Sequence, residues 1–267
     1  MELIDVGVNL AHDSFARDRS DVLTRARDAG VSTFIVTGSS RESSHDSAAL
    51  CAAHPGELYS TAGVHPHHAS KYDAGASAWI RSLCEDPAVV AVGECGLDFF
   101  RNFSSPEDQL RAFRAQLEVA VELQMPVFLH QRDAHAQFCE VLDEYLDRIP
   151  RAVAHCFTGD GQELADYLAR GLYIGITGWI CDERRGAHLG EIIGEIPQDR
   201  LLLETDAPYL LPRDLKPRPR SRRNEPMYLE HVARTVAGHL GTAPEELAAR
   251  STANARRFFA IQGEKLD

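Results

Sequence analysis

The 267-residue chain carries 40 acidic against 28 basic side chains, a net charge of −12, with 44% hydrophobic and 25% charged residues. This is the composition of a soluble globular protein. The acidic balance excludes a protein that coats nucleic acid by bulk electrostatics, though not an enzyme that grips a few phosphates.

Strand-like segments at residues 3–10, 31–38, 58–65, 89–95, 126–131, 152–157, 172–178 and 201–206 alternate with helical patterns at 18–29, 41–53, 74–85, 106–124, 134–147, 161–170 and 186–195. Further helices fit 226–239 and 244–260. Ser105 before Pro106 has the chemistry of a helix start. Eight strands interleaved with helices predict parallel β/α units closing into a (β/α)8 TIM barrel, in one domain spanning residues 1–267. An open doubly wound sheet is the alternative, but it announces itself with a Gly-rich turn after the first strand. Here that strand ends in Asp5-Val6-Gly7-Val8-Asn9-Leu10. No basic segment followed by an apolar stretch opens the chain, and no run of about eighteen apolar residues occurs. The expectation is a cytoplasmic monomer without membrane contact. Its six cysteines, which form no C-x-x-C pair, are then expected to be free thiols.

Four predicted strands deliver a polar residue at their ends. Val89–Val92 leads through Gly93 to Glu94, Val127–Leu129 to His130, Ala152–Ala154 to His155, and Leu201–Leu203 to Glu204 and Asp206. In a parallel barrel the strand ends converge, and polar residues there read as catalytic. Glu94, His130, His155 and Asp206 supply the nitrogen and oxygen ligands of a divalent cation, and metal-assisted hydrolysis is the chemistry they suit. Glu204 sits two residues before Asp206, so both side chains can face the same way; spacing alone does not choose between metal binding and orientation for it.

His65 ends the third strand, where it can contact a substrate phosphate or make a structural hydrogen bond; His67 and His68 read as surface. Asp98 and Arg101 follow Glu94, as Arg132 and Asp133 follow His130, at positions equally suited to orienting a ligand and to a loop salt bridge. Residues 213–223 hold six basic side chains and one acid directly after the eighth strand. Arginine forks suit phosphate oxygens, and Arg222 and Arg223 are the expected substrate contacts. Phe99, Phe100, Phe157, Trp179 and Tyr209 lie near strand ends, where they can stack on bases or pack in the core.

Five motifs in order carry a resemblance. They are Thr61-Ala62-Gly63-Val64-His65-Pro66-His67, Gly93-Glu94-Cys95-Gly96-Leu97-Asp98, His130-Gln131-Arg132-Asp133-Ala134, His155-Cys156-Phe157-Thr158-Gly159 and Glu204-Thr205-Asp206-Ala207-Pro208-Tyr209-Leu210. With them the chain, from Asp5 to about Phe259, resembles the TatD family of metal-dependent deoxyribonucleases, within the amidohydrolase-like barrels. The resemblance implies hydrolysis of phosphodiester bonds in DNA, with RNA as a second substrate, in the 3′–5′ direction; a narrow barrel mouth, which a base inside a duplex cannot reach, favours an exonuclease acting on single strands. It implies Glu94, His130 and His155 as metal ligands and Asp206 as a ligand that doubles as acid and base. Mg²⁺ is the expected ion, with Mn²⁺ and Zn²⁺ as alternatives. Many members carry a His-x-His pair at the end of the first strand, where this chain has Gly7 and Asn9; the branch that similarly begins Asp-x-Gly-x-Asn-Leu is the nearest match. Loss of two imidazoles predicts a weak second ion. Two other readings are an amidohydrolase-type esterase acting on a substrate such as an aminoacyl-tRNA, and a nucleic-acid-binding protein of weak catalysis.

Overall fold

The computed structural model describes residues 1–261. Strands β1 (Leu3–Val8), β2 (Val31–Val36), β3 (Leu58–Ala62), β4 (Val89–Asp98), β5 (Val127–Arg132), β6 (Ala152–Ala154), β7 (Tyr173–Ile176) and β8 (Leu201–Leu203) alternate with helices. These are α1 (Arg19–Asp28), α2 (Arg41–Ala52), α3 (Ala76–Leu83), α4 (Pro106–Leu123), α5 (His135–Asp143), α6 (Gly161–Ala169) and α7 (Ala187–Ile192), with α8 (Leu229–Leu240) and α9 (Pro244–Phe259) after β8. Every expected strand and helix is present. No helix among the described residues is long and apolar enough to cross a membrane, and all six cysteines are free.

The strands form one eight-stranded sheet in sequence order, with parallel pairing of β1 to β2, β3 to β4, β4 to β5, β5 to β6 and β7 to β8. The segment after β8 returns to β1: Asp206 donates its N–H to Gly7 C=O and Asn9 donates to Ala207 C=O, each at 2.8 Å. A parallel sheet in sequence order whose last strand meets its first is the (β/α)8 barrel expected from the sequence.

Most strands stop two or three residues short of their predicted ends, because polar residues after the apolar run leave the ladder for turns. A short 3-10 turn, Pro66–Lys71, takes over beyond His65, and another, Gly178–Cys181, starts where Thr177 Oγ1 accepts Trp179 N–H. Cys156 (φ +48°) and Asp206 (φ +54°) turn the chain at the ends of β6 and β8. β4 does the reverse and runs three residues further than expected, to Asp98. α4 begins as predicted: Ser105 Oγ accepts Asp108 N–H at 3.1 Å, with Pro106 in the first turn and Glu107 and Asp108 at the positive end of the helix dipole.

The chain packs as two compact units. One comprises Met1–Val36, Cys156–Leu168 and the described residues from Ile174 to Ile261. Its core is built from Val6, Val8, Phe34, Ile35, Leu202, Leu203, Val236 and Phe258, all buried. The other comprises Thr37–His155 and Ala169–Tyr173. Its core holds Leu58, Val92, Phe128 and Leu129 from the strands, with Phe113 of α4 stacked on Phe138 of α5 at 5.4 Å. Continuous apolar runs with no alternation mark strands covered on both faces.

In the first unit Asp5 is fully buried on β1. Burial pushes its carboxyl up to about 7, assisted by the charge of Glu204 and opposed by hydrogen bonds from Thr205 and Gly7. A carboxyl raised in the folded state stabilises the fold fully only below about pH 4, and that stabilisation is lost as pH rises through about 7. Asp5→Asn should therefore gain stability relative to wild type between about pH 4.5 and pH 8, by at most about 4 kcal/mol in urea denaturation. Parallel pH profiles for the two proteins would show that Asp5 is ionised in the fold.

Candidate metal centre

β4 presents Glu94 by a local break in its own ladder. Gly93 pairs with Phe128 and Cys95 with Leu129 on β5, so Glu94 is the extra residue between them, and such a bulge re-aims a side chain. Glycine is required on either side. Gly93 and Gly96 have φ of +137° and +141°, and a Cβ would strike the carbonyl oxygens of Phe128 and His130 respectively. Glu94 itself is 7% exposed, its N–H donating to Gly38 C=O at 2.7 Å.

Three imidazoles surround one oxygen of that carboxylate. Glu94 Oε1 lies 3.1 Å from His130 Nδ1, 3.5 Å from His65 Nε2 and 3.8 Å from His155 Nε2. Burial would raise the Glu94 carboxyl, but the neighbouring imidazoles of His65, His130 and His155 outweigh it and hold the group well below the usual carboxylate range. Burial drives His65 well below its ordinary value, whereas His130, though buried, is raised by Asp98 and Glu94. His65 Nδ1 accepts His67 N–H at 3.0 Å, which places the proton of the neutral ring on Nε2, facing Glu94. His130 Nε2 is buried with no hydrogen-bond partner among the described residues; Asp98 Oδ2, at 3.6 Å, is beyond bonding reach. An orphaned imidazole nitrogen beside a buried carboxylate and two more imidazoles fits a divalent cation by ligand type, and His65, Glu94 and His130 offer ligand atoms within 4.8 Å of one another.

The network extends to His67 and Asp98. His67, expected on the surface, is half-buried with Nε2 2.7 Å from Asp98 Oδ2. Asp98 is buried and held below the usual carboxylate range: burial opposes this, and the His130 and His67 imidazoles with the Arg101 backbone N–H overcome it. The signal for Asp98 was its place four residues beyond Glu94 on one strand. Two buried glutamines of α4 fix the surrounding backbone. Gln116 accepts Val64 N–H at 2.7 Å and donates to Val64 C=O at 3.1 Å, and Gln109 pairs in the same way with Asp98.

In the other unit, Asn9 donates its side-chain amide to Asp206 Oδ1 at 3.1 Å and to Ala207 C=O at 3.3 Å. Asn9 is therefore a donor that orients the Asp206 carboxylate. Both Glu204 and Asp206 lie beyond the end of β8, and the backbone turns left-handed at Asp206. The Glu204 carboxylate is buried and accepts the Cys156 N–H, fixing the peptide that follows His155. Strand alternation does not govern the pair, because neither residue is in the β8 ladder.

A family profile described as TatD related DNase matches residues 4–260. The chain belongs to the TatD family. It is 56% identical to a protein of Erwinia billingiae named 3′-5′ ssDNA/RNA exonuclease TatD, over 97% of this chain and 99% of that one. Identity is 52% to the protein of the same name from Salmonella typhimurium, over 97% and 99%. Among solved structures, YJJV, a TatD homolog from Escherichia coli K12, superposes with a TM-score of 0.88 at 28% identity, covering 97% of this chain and 98% of that one. A TatD family hydrolase from Entamoeba histolytica gives 0.87 at 27%, with the same coverage.

The basic run divides into two kinds of arginine. Arg223, expected at substrate phosphates, is committed to the fold: its guanidinium donates to both oxygens of Asp18 (2.8 and 2.7 Å), to Glu225 (2.7 Å) and to Ser14 C=O (2.6 Å), over the Phe15 ring. Arg222 is exposed and makes no hydrogen bond or ion pair among the described residues. Of the aromatics, Phe157 is buried, while Phe100 and Tyr209 are exposed. Arg223→Ala should lower stability by about 1–2 kcal/mol and leave the salt dependence of nucleic-acid binding intact. Arg222→Ala should leave melting intact and reduce the log–log salt slope by about 0.7. The opposite pattern, from melting curves and salt titrations of both variants, would reverse the two assignments.

Proposed function

We propose that this protein is a divalent-metal-dependent exonuclease that hydrolyses phosphodiester bonds of single-stranded DNA or RNA from the 3′ end. The observation that carries the reading is the ionised Glu94 carboxylate buried among His65, His130 and His155, with His130 Nε2 unsatisfied. The names of relatives more than 50% identical over nearly the whole chain support the substrate and the polarity.

In this reading Glu94, His130 and His155 would hold the ion, with Asp206 completing the set as the family resemblance assigns it. Mg²⁺ is the proposed ion; the imidazoles also suit Mn²⁺ and Zn²⁺. When bound, the cation supplies Lewis-acid activation of the phosphoryl oxygen and of water. The remaining work falls to the chain. Asp206, oriented by the Asn9 amide at Oδ1, takes the proton of the attacking water and returns it to the leaving sugar oxygen. His65 carries its proton on Nε2 and donates it in a hydrogen bond to a substrate phosphate oxygen. Exposed Arg222 meets the phosphates further along the strand.

Glu94→Gln should cut single-strand digestion by at least about a hundredfold, with circular dichroism and melting close to wild type. A folded variant of full activity would remove Glu94 from the site. Chelator should stop digestion, and titration into stripped protein should show one tightly held ion per chain. Gly7 and Asn9 leave a second ion few protein ligands, so activity should keep rising with metal after the first equivalent is bound. Two equally tight ions by calorimetry would show that other residues replace the missing imidazoles.

A further inference from the structure

The loop from β4 to α4 exposes two large aromatic rings beside the proposed centre, Phe100 at 53% and Phe103 at 67%. Exposed rings on a loose loop would carry little information. This loop is pinned throughout. Asp98 Oδ1 accepts the N–H groups of Phe100 (3.0 Å) and Arg101 (2.8 Å), and Phe99 N–H donates to Arg132 C=O at 2.9 Å. Gln109 donates to Ser104 C=O at 3.0 Å, while Ser104 Oγ donates to His67 C=O at 3.1 Å and accepts Ser70 N–H at 3.0 Å. The rings are thus presented by a rigid frame built on the same Asp98 that touches His67.

Two guanidinium groups accompany them. Arg132 lies over the Phe100 ring at 4.1 Å and Arg101 at 5.6 Å, and neither side chain enters a hydrogen bond or ion pair among the described residues. In a chain of net charge −12, two cations left unpaired beside exposed aromatics form a local surface suited to planar, anionic ligands. Its distance from the centre is short. Arg132 is two residues beyond His130 on β5 and pairs in register with Asp98, about 7 Å along the strand, and Phe103 meets the His67 ring edge-on at 4.8 Å.

We infer that Phe100 with Arg132, and Phe103, form a stacking platform for unpaired bases adjacent to the phosphate being cleaved, with Arg101 and Arg132 on the flanking phosphates; this rests on the exonuclease reading. Stacking uses the face common to all bases, so the platform accepts any sequence. A base held inside a duplex cannot offer that face, so the platform also selects single strands.

The test compares cleavage of a single-stranded oligonucleotide with the same strand carrying abasic residues at successive positions near its 3′ end. Wild type should lose about 5- to 150-fold in kcat/KM for each stacked base removed. In Phe100→Leu and Phe103→Leu that penalty should shrink towards one, whereas Phe100→Trp and Phe103→Trp, which restore a ring, should keep it. Melting curves confirm that the variants fold. A full abasic penalty in both leucine variants, or none in wild type, would overturn the platform. Failure of wild type to cleave any oligonucleotide would instead overturn the exonuclease reading. Anisotropy with the same intact and abasic strands, labelled, would then decide the platform separately: weaker binding of the abasic strand by wild type but not by the leucine variants supports it, and equal binding overturns it.

Discussion

Removing the Glu94 carboxylate from water costs several kcal/mol unless opposite charge or a cation surrounds it, and much of the second unit is arranged to meet that cost. Three imidazoles approach one oxygen within 3.1 to 3.8 Å. To put the carboxylate there, β4 adds a residue at Glu94 and uses glycine at Gly93 and Gly96, where any side chain would meet the backbone of β5. The Gly-Glu-Cys-Gly sequence is therefore a statement about close strand approach as much as about chemistry. An apolar replacement of Glu94 would relieve the burial of charge but leave His130 Nδ1 without the carboxylate oxygen 3.1 Å away.

The imidazoles are held as tightly as the carboxylate. Gln109 and Gln116, two turns apart on α4, use their side-chain amides to pair with the backbone of Asp98 and Val64. Val64 precedes His65, and Asp98 anchors both His67 and the loop that follows β4. One helix thereby fixes the two segments that flank the centre. Buried amides are tolerated there because every one of these hydrogen bonds is made.

Partnership, more than position in the sequence, separates the arginines. Arg223 lies in the basic run after β8 yet is spent on Asp18, Glu225 and Ser14. Arg101 and Arg132 belong to no run of basic residues, but their guanidinium groups rest on an aromatic ring and pair with no acid among the described residues. An acidic protein can hold a polyanion this way, by a few cations that its own carboxylates leave alone.

The sequence by itself determined the alternation of strands and helices and the residues at the strand ends, because apolar periodicity and turn chemistry act over a few residues and do not depend on distant partners. It also singled out Glu94, His130 and His155, since in a parallel barrel the strand ends that carry them converge. What it did not carry was decided by tertiary contacts. Asp98 and His67 could be seen as acid and base but not as a pair 31 positions apart, and Asn9 could be seen as a missing imidazole but not as the donor that orients Asp206. Glu204 and Asp206 read as alternating strand residues, yet β8 ends before both and Glu204 meets the Cys156 N–H, a contact that spacing does not contain. Arg223 was indistinguishable from Arg222 until Asp18 and Glu225 closed around it. In each case the missing fact was which groups meet in space, and that depends on the packing of the whole chain.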